Sequence, residues 1–502
     1  MSKVQQDVPL SQRWLDRIER TGNRLPHPVV LFIFFCAIVV LLSAWLTATG
    51  ANVQNPSSGE WLYTRSLLSR DGLLWMLHNA VGNFVSFAPV GSVIVAIMGI
   101  AVAEHSGLLG HVLTQFARRA PPKALSAVIV FTGVLSSIGF DSGYVVLIPL
   151  AAIVFRAAGR SPLAGIAAAF AGVSGGFSAN ILLGPVDAIL AGISTESLQL
   201  IDPQASVSVS ANYYFIAFST LLITLVGAWV TETLVEPRLQ RPGQTESTST
   251  PPEASASETK ALRRVLLFSV LYVAVLIAAV VHPQGPLRNP DPSGMAALPL
   301  LQGIVVFIAA YGALAGIIFG YSSGRFTRSK DWVDAMESGM STLAGYLVLM
   351  FFAAQFVNYF SWTGIGALTA IKGAQWLAGL ELSTTSLLIS FVLCSPAINL
   401  KIGSASAKWA LMAPIFVPML AMLDVAPEAV QMAYRIGDSS TNIITPLMPY
   451  FGVVVAFMQR HDSKAGMGTL LALMLPYSLC FIVSWSVLLA AWVGLGIPLG
   501  PK

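Results

Sequence analysis

Apolar positions run along the chain in blocks of about 20 residues, the helix length that crosses a bilayer's hydrocarbon at ~1.5 Å per residue. These blocks predict spanning helices at 28–48, 86–107, 163–193, 212–232, 265–281, 298–320, 340–360, 427–459 and 467–493. Two further apolar regions, 122–158 and 383–422, are split near the middle by polar, Gly-rich or Pro-containing tips, Ser136 to Gly143 and Ser395 to Ser406. Each arm is too short to span comfortably, which predicts hairpins that enter and leave on one side. Irregular backbone at that depth is tolerated only where protein buries it or a wet cavity receives it. The pattern thus predicts an all-α polytopic membrane protein with about nine transmembrane helices plus two re-entrant helical hairpins.

The order of elements repeats. Residues 28–235 read helix, helix, hairpin (122–158), polar-interrupted helix (163–193), helix, and the same order recurs over 298–502 with hairpin 383–422 and interrupted helix 427–459. Between them lie a stretch rich in Ser, Thr, Pro and Glu, 236–262, expected to be a flexible cytoplasmic linker, and a connecting helix and loop, 263–297. A single connecting span inverts the second copy, the arrangement of inverted-repeat secondary transporters. Local echoes follow the same order: Ser178-Ala179-Asn180-Ile181 resembles Ser440-Thr441-Asn442-Ile443.

Composition agrees with a membrane solvent. Hydrophobic residues make up 55% and charged residues 10% of the 502-residue chain, where a soluble protein has roughly 25% charged. The net charge of +4 points to no nucleic-acid partner, because the basic residues sit in short loops between apolar segments. With both split regions re-entrant, 20 of the 28 Lys and Arg fall on one side and only Arg65, Arg70, Arg288, Lys372 and Lys502 on the other. The positive-inside rule then puts the segment 1–27 and the N-terminus in the cytoplasm and the C-terminus outside. Lys401, Lys408 and Arg435 are left at bilayer depth, where a charge costs roughly 3 kcal/mol on insertion scales and needs a partner or a function. Cys36, Cys394 and Cys480 lie in apolar segments without metal-type spacing and read as buried small hydrophobes.

The first interrupted helix carries Gly172-Val173-Ser174-Gly175-Gly176-Phe177-Ser178-Ala179-Asn180 and then Gly184-Pro185-Val186-Asp187. Gly and Pro break the helical ladder, and the freed carbonyls, Asn180 and the Asp187 carboxylate are hard oxygen donors of the kind alkali cations accept. The alternative is tight helix packing at the glycines with Asp187 near the outer end. The second interrupted helix, Arg435-Ile436-Gly437-Asp438-Ser439-Ser440-Thr441-Asn442 and onward to Pro446 and Pro449, is the most polar run in any apolar block. An intrahelical Arg435–Asp438 pair would explain it structurally. A guanidinium fork suits a carboxylate substrate, and a mid-membrane carboxylate suits cation or proton coupling. In the second hairpin, Asn399 offers an amide oxygen, Ser404 and Ser406 hydroxyls, and Trp409 an aromatic face or a packing surface. Lys401 and Lys408 read as pocket-rim or snorkelling charges, Pro427 as a helix start, and Asp141 as the first hairpin's acid or a tip cap.

The six histidines are expected in loops or at span ends, with no relay or metal cluster, and no phosphate-cradling loop is present, so an ion gradient is the expected energy source. A channel could use the same hairpins, but inverted halves with ionisable groups from both favour alternating access. An intramembrane aspartyl protease pairing Asp187 with Asp438 is a poor fit, since neither stands in a Gly-x-Gly-Asp setting. No enzymatic activity is expected.

Three stretches carry a specific resemblance: Gly175 to Asp187, the tip Asn399-Leu400-Lys401-Ile402-Gly403-Ser404-Ala405-Ser406-Ala407-Lys408-Trp409, and Arg435 to Asn442 resemble the AbgT family of p-aminobenzoyl-glutamate transporters and antimetabolite exporters. The resemblance implies a homodimer in the bacterial inner membrane. It also implies aromatic carboxylate substrates: p-aminobenzoyl-glutamate, p-aminobenzoate and, for exporters, sulfonamides, with Na+ or H+ as coupling ion and no cofactor. By motif, Asp187, Asn399 and Asp438 match positions near the cation and substrate site, and Ser406, Trp409, Pro427 and Arg435 match the substrate pathway, with Asn180 and Asn442 beside them. The expected mechanism is export: a cation at Asp187, Asn399 and Asp438 closes the hairpins, Arg435 holds the substrate carboxylate, and Trp409 stacks on the aminophenyl ring. Import of p-aminobenzoyl-glutamate is the alternative, with a dicarboxylate transporter or a channel behind it.

Overall fold

The fold is known from a computed structural model, which describes residues 28–54, 61–139, 143–239, 256–288, 299–399, 404–445, 448 and 450–501. Asp141, Lys401, Pro446, Pro449, the segment 1–27 and most of the linker, 240–255, lie outside the described residues.

The apolar blocks fold into helices close to where the pattern puts them. These are α1 (Pro28–Ala48), α3 (Ala88–His105), α9 (Tyr213–Val230), α11 (Ala256–Val281), α13 (Ile304–Ser323), α15 (Ala344–Trp362) and α21 (Met467–Gly494). Among the described residues, seven helical stretches are long and apolar enough to cross a membrane, α3 being joined to the helix before it. The split regions form pairs of shorter helices, α5 (Leu125–Ser136) with α6 (Ile148–Ala157) and α17 (Thr384–Asn399) with α18 (Ala405–Ala421). The two interrupted blocks break as expected, into α7 (Pro162–Phe170) and α8 (Pro185–Leu198), and into α19 (Pro427–Asn442) and α20 (Phe451–Gln459).

Helices that hydropathy misses complete the chain. They are α2 (Arg70–Val85), α4 (Leu108–Arg118), α10 (Glu236–Leu239), α14 (Ser329–Thr342) and α16 (Ile365–Ala378), while α12 (Pro299–Gln302) is a short separate start of the expected 298–320 block. A small antiparallel ribbon, β1 (Asn52–Gln54) with β2 (Trp61–Tyr63), caps the first span, with Val53 opposite Leu62. Ser69 starts α2 by accepting the Gly72 N–H at 3.0 Å, a side-chain cap that a hydropathy window does not register.

The expected linker is corrected at both ends. Glu236 begins α10 and is buried, its carboxylate accepting Arg160 Nε at 2.9 and 3.1 Å. At the other end, α11 starts at Ala256, and Glu258 in its first turn meets Arg325 at 3.1 Å and His111 at 3.4 Å. Charged residues near 236 and 258 thus find partners in other segments and stay folded. Two histidines and a cysteine also depart from expectation. His111 is buried within α4, His78 sits exposed in the middle of α2, and Cys394 is exposed on α17.

Packing between the two halves is reciprocal. The first span of one half packs on the second span of the other in both directions, α1 on α15 and α13 on α3. The second arms of the split regions do likewise, α18 lying on α8 and α6 on α20, while the last spans α9 and α21 pack on each other. Close approach has a local cause at Gly99, where a Cβ would stand 2.0 Å from the Ala309 carbonyl oxygen of α13. Trp485 Nε1 donates to Ser219 Oγ at 2.7 Å, fixing α21 against α9. The main hydrophobic core joins buried residues from α1 through α21 and includes Val173 and Ala179 of the first break and Ile443 at the second, while α11 and α13 pack in a separate cluster with Ala103 and Leu108.

Candidate functional site

The site forms where the breaks of the two interrupted helices meet the ends of α17 and α18. After Phe170 the helix widens into a π-type turn at Ala171–Gly175 and then leaves helical geometry until Pro185 begins α8. Proline at the first turn starts a helix without losing a needed donor. Asp187, in that first turn, accepts the Gly184 N–H at 2.7 Å through Oδ2, which also suits the helix dipole. Its Oδ1 accepts Arg435 Nη1 at 2.6 Å.

Helix α19 is buried along nearly all its length despite its polarity, so each polar group needs a partner. Arg435 Nη2 donates to the Ser178 carbonyl at 3.3 Å, and the Ser178 N–H donates to Ser439 Oγ at 2.9 Å, so α19 clasps the unwound strand of the first break on both sides. Arg435 Nε is buried without a partner, as is Ser440 Oγ. One turn on, Asp438 Oδ1 does not face Arg435: it forms an ion pair with Lys408 of α18, both side chains being 1% exposed. The intrahelical Arg435–Asp438 reading is thereby replaced by two pairs, each joining different helices.

Lys408 is the clearest departure from expectation. It is buried instead of lying at a rim, and its Nζ also donates to Asn399 Oδ1 and stands 3.5 Å from Asn442 Oδ1. Asn399, the last residue of α17 and fully buried, donates Nδ2 to the Asp438 carbonyl at 2.8 Å and to Thr441 Oγ1 at 2.6 Å. Asn442 Nδ2 reaches Asp438 Oδ2 at 3.4 Å. Only Gly fits at 437, where a Cβ would sit 2.5 Å from the Val392 carbonyl, and that contact brings α17 close enough for Asn399 to reach α19.

Trp409 is enclosed. It stacks on Tyr434 with centroids 4.6 Å apart and planes at 24°, and Nε1 donates to Leu190 O at 3.2 Å and Ser194 Oγ at 3.1 Å. Its ring packs inside the core in this conformation and offers no open face, which corrects the reading of a ready platform. Ser194 in turn donates to Gln431 at 2.9 Å, so Ser194, Gln431 and Tyr434 belong to this cluster although the sequence did not single them out. Asn180 is bound into the first split region, donating to Ser137 Oγ at 2.9 Å. Ser406 is half-buried beside Ser404, Oγ to Oγ 3.2 Å, and Pro427 starts α19 two turns before Arg435, apart from the charged cluster.

The three oxygens expected to share one cation are therefore divided between two basic partners, Arg435 for Asp187 and Lys408 for Asp438 and Asn399. In this arrangement the donor set does not fit an alkali ion beside the Lys408 ammonium.

The family model described as "AbgT putative transporter family" matches residues 13–502. This chain belongs to the AbgT family. Among its relatives, the p-aminobenzoyl-glutamate transport protein of Escherichia coli (strain K12) is 35% identical over 486 residues, covering 96% of this chain and 95% of that protein. Two AbgT-type solved structures share the fold. The YdaH transporter of Alcanivorax borkumensis, described as having an unusual topology, superposes with a TM-score of 0.90 at 48% identity over 95% of this chain and 100% of that one. MtrF of Neisseria gonorrhoeae, described as illuminating a class of antimetabolite efflux pumps, superposes with a TM-score of 0.88 at 43% identity over 96% and 97%. The all-α polytopic fold and membership in a membrane transporter family agree with the sequence reading.

Proposed function

We propose that this AbgT protein is an ion-gradient-driven secondary transporter that exports p-aminobenzoate-type carboxylates, including p-aminobenzoate, p-aminobenzoyl-glutamate and sulfonamide antimetabolites. The observation that carries the reading is Arg435: a buried guanidinium joined to the opposite half through Asp187, with Nε–H still unpartnered. An arginine in low-dielectric surroundings with a spare donor is suited to a planar carboxylate, which takes two parallel N–H bonds where Asp187 takes one. The Escherichia coli relative supports the p-aminobenzoyl-glutamate class, and the similarity to the Neisseria gonorrhoeae efflux pump supports export. In this reading the two split regions are re-entrant hairpins of an inverted repeat, supported by their short arms and by the reciprocal packing of the halves. In this reading the protein is a homodimer of the bacterial inner membrane, as the family resemblance implies, and the lopsided distribution of Lys and Arg supports a cytoplasmic N-terminus and an outside C-terminus.

Binding a substrate carboxylate at Arg435 frees Asp187, and that exchange gives the pocket two states with different charges exposed. The experiment is flux of radiolabelled p-aminobenzoate and a sulfonamide in proteoliposomes under separately imposed sodium and proton gradients. Saturable, counterflow-competent flux that Arg435→Gln abolishes is expected. Linear, non-saturating permeation would mark a channel, and no flux under either gradient would overturn the reading.

A further inference from the structure

The oxygens that would suit an alkali cation converge on an ammonium belonging to the chain. Asp438 Oδ1, Asn399 Oδ1 and Asn442 Oδ1 all face Lys408 Nζ, the last at 3.5 Å. They come from the end of α17 and from two successive turns of α19, while the ammonium arrives from α18. An ammonium has three N–H donors, one for each of these three oxygens. The amide orientation of Asn399 is fixed independently: its Nδ2 is committed to the Asp438 carbonyl and Thr441 Oγ1, which turns Oδ1 toward Lys408. Asp438, Asn399 and Lys408 are each at most 1% exposed, so the cluster is closed to bulk water. A second monovalent cation at these oxygens would lie within hydrogen-bonding distance of the ammonium in a medium that screens poorly.

We propose that Lys408 is the resident cation of the broken-helix core: its ammonium fills the position formed by Asn399, Asp438 and Asn442, and this position excludes sodium and other alkali ions while the ammonium stays. Removing the ammonium and keeping the oxygens turns the same place into a site for an alkali cation. The inference rests on the core being an ion-coupled transport site and assigns the selectivity of that core to one side chain.

The test is thermal unfolding of the purified full-length protein in detergent, titrated with sodium chloride against choline chloride at constant ionic strength. The wild type is expected to respond equally to both salts. Lys408→Met is expected to gain a saturable, sodium-specific rise in Tm of about 2 °C or more, because a ligand that binds only the folded state stabilises it. The double variant Lys408→Met/Asp438→Asn is expected to lose that response, and Lys408→Arg to behave as wild type. Saturable sodium stabilisation of the wild type overturns the proposal, and so does a folded Lys408→Met protein without any. Should Lys408→Met fail to fold, the wild type and Lys408→Arg decide: sodium-specific stabilisation of either overturns the proposal, and indifference in both supports it. The readout is binding and not flux, so the two readings fail in different measurements: absent p-aminobenzoate flux counts against transport, and sodium-specific stabilisation of the wild type counts against Lys408 as the resident cation.

Discussion

Arg435 of α19 and Asp187 of α8 form a buried ion pair, Nη1 to Oδ1 at 2.6 Å, across 248 positions of sequence. Each charge is tolerable at this depth because of the other, and removing one partner of such a pair costs about 3–5 kcal/mol. Asp187→Asn and Arg435→Gln are each expected to lower Tm strongly. The double variant, which strands no charge, is expected to lose far less than the sum of the two. Additive losses in a thermal-unfolding cycle would mean that the two side chains do not interact.

Trp409 separates a packing role from a ligand-stacking role. Trp409→Phe keeps a ring against Tyr434 and loses one hydrogen-bonding group, so a loss of about 1 kcal/mol is expected. Trp409→Ala leaves a cavity and is expected to cost about 3–5 kcal/mol. If chemical denaturation found Trp409→Ala as stable as wild type while aryl substrates bound more weakly, the ring would be a ligand platform and not core.

Gly437 sets the spacing of α17 and α19. Any side chain at 437 meets the Val392 carbonyl, backbone that moves only with its helix, so Gly437→Ala is expected to destabilise by about 1–3 kcal/mol. It should also pull Asn399 away from Thr441 and Lys408. Unchanged stability would show that α17 is free to shift outward.

His461, in the loop between α20 and α21, accepts Arg156 Nη2 at 3.0 Å through Nδ1 and so is held neutral. Burial pushes its pKa below the ordinary 6.5, and Arg156 and Arg460 push it the same way. A depressed folded-state value means the contribution is fully present above pH 6.5 and is lost as pH falls below it, because the unfolded chain takes up the proton first. Wild type is therefore expected to lose more Tm between pH 7.5 and pH 5.5 than His461→Gln does. Parallel losses would remove His461 from the account.

How much of the site could be read from the sequence differs residue by residue. The break between Gly175 and Pro185 is local chemistry, since Gly175, Gly176, Gly184 and Pro185 fall together there, between the π-type turn that follows α7 and the start of α8. The helices α4 and α14 escaped because their polar faces dilute hydropathy, although both are amphipathic with a helical period. Lys408 was visible as one of three charges left at bilayer depth, but its partner was not. A lysine reaches several ångströms from its backbone, and which oxygens it meets depends on how three helices sit around it.

The sequence by itself determined that the chain is a polytopic helical membrane protein with two broken helices and two split regions, because hydrophobic length and helix-breaking residues act over a few turns. It also singled out the charged residues of the breaks and the second split region, Asp187, Lys401, Lys408, Arg435 and Asp438, without placing Lys408 in the core. Tertiary structure alone decided the pairing. Arg435 and Asp438 lie three residues apart and had each other within reach, yet Arg435 turns to Asp187 and Asp438 to Lys408. Side chains from opposite halves are brought to the breaks by helix packing, and in a low-dielectric core a charge goes to the partner that geometry places against it.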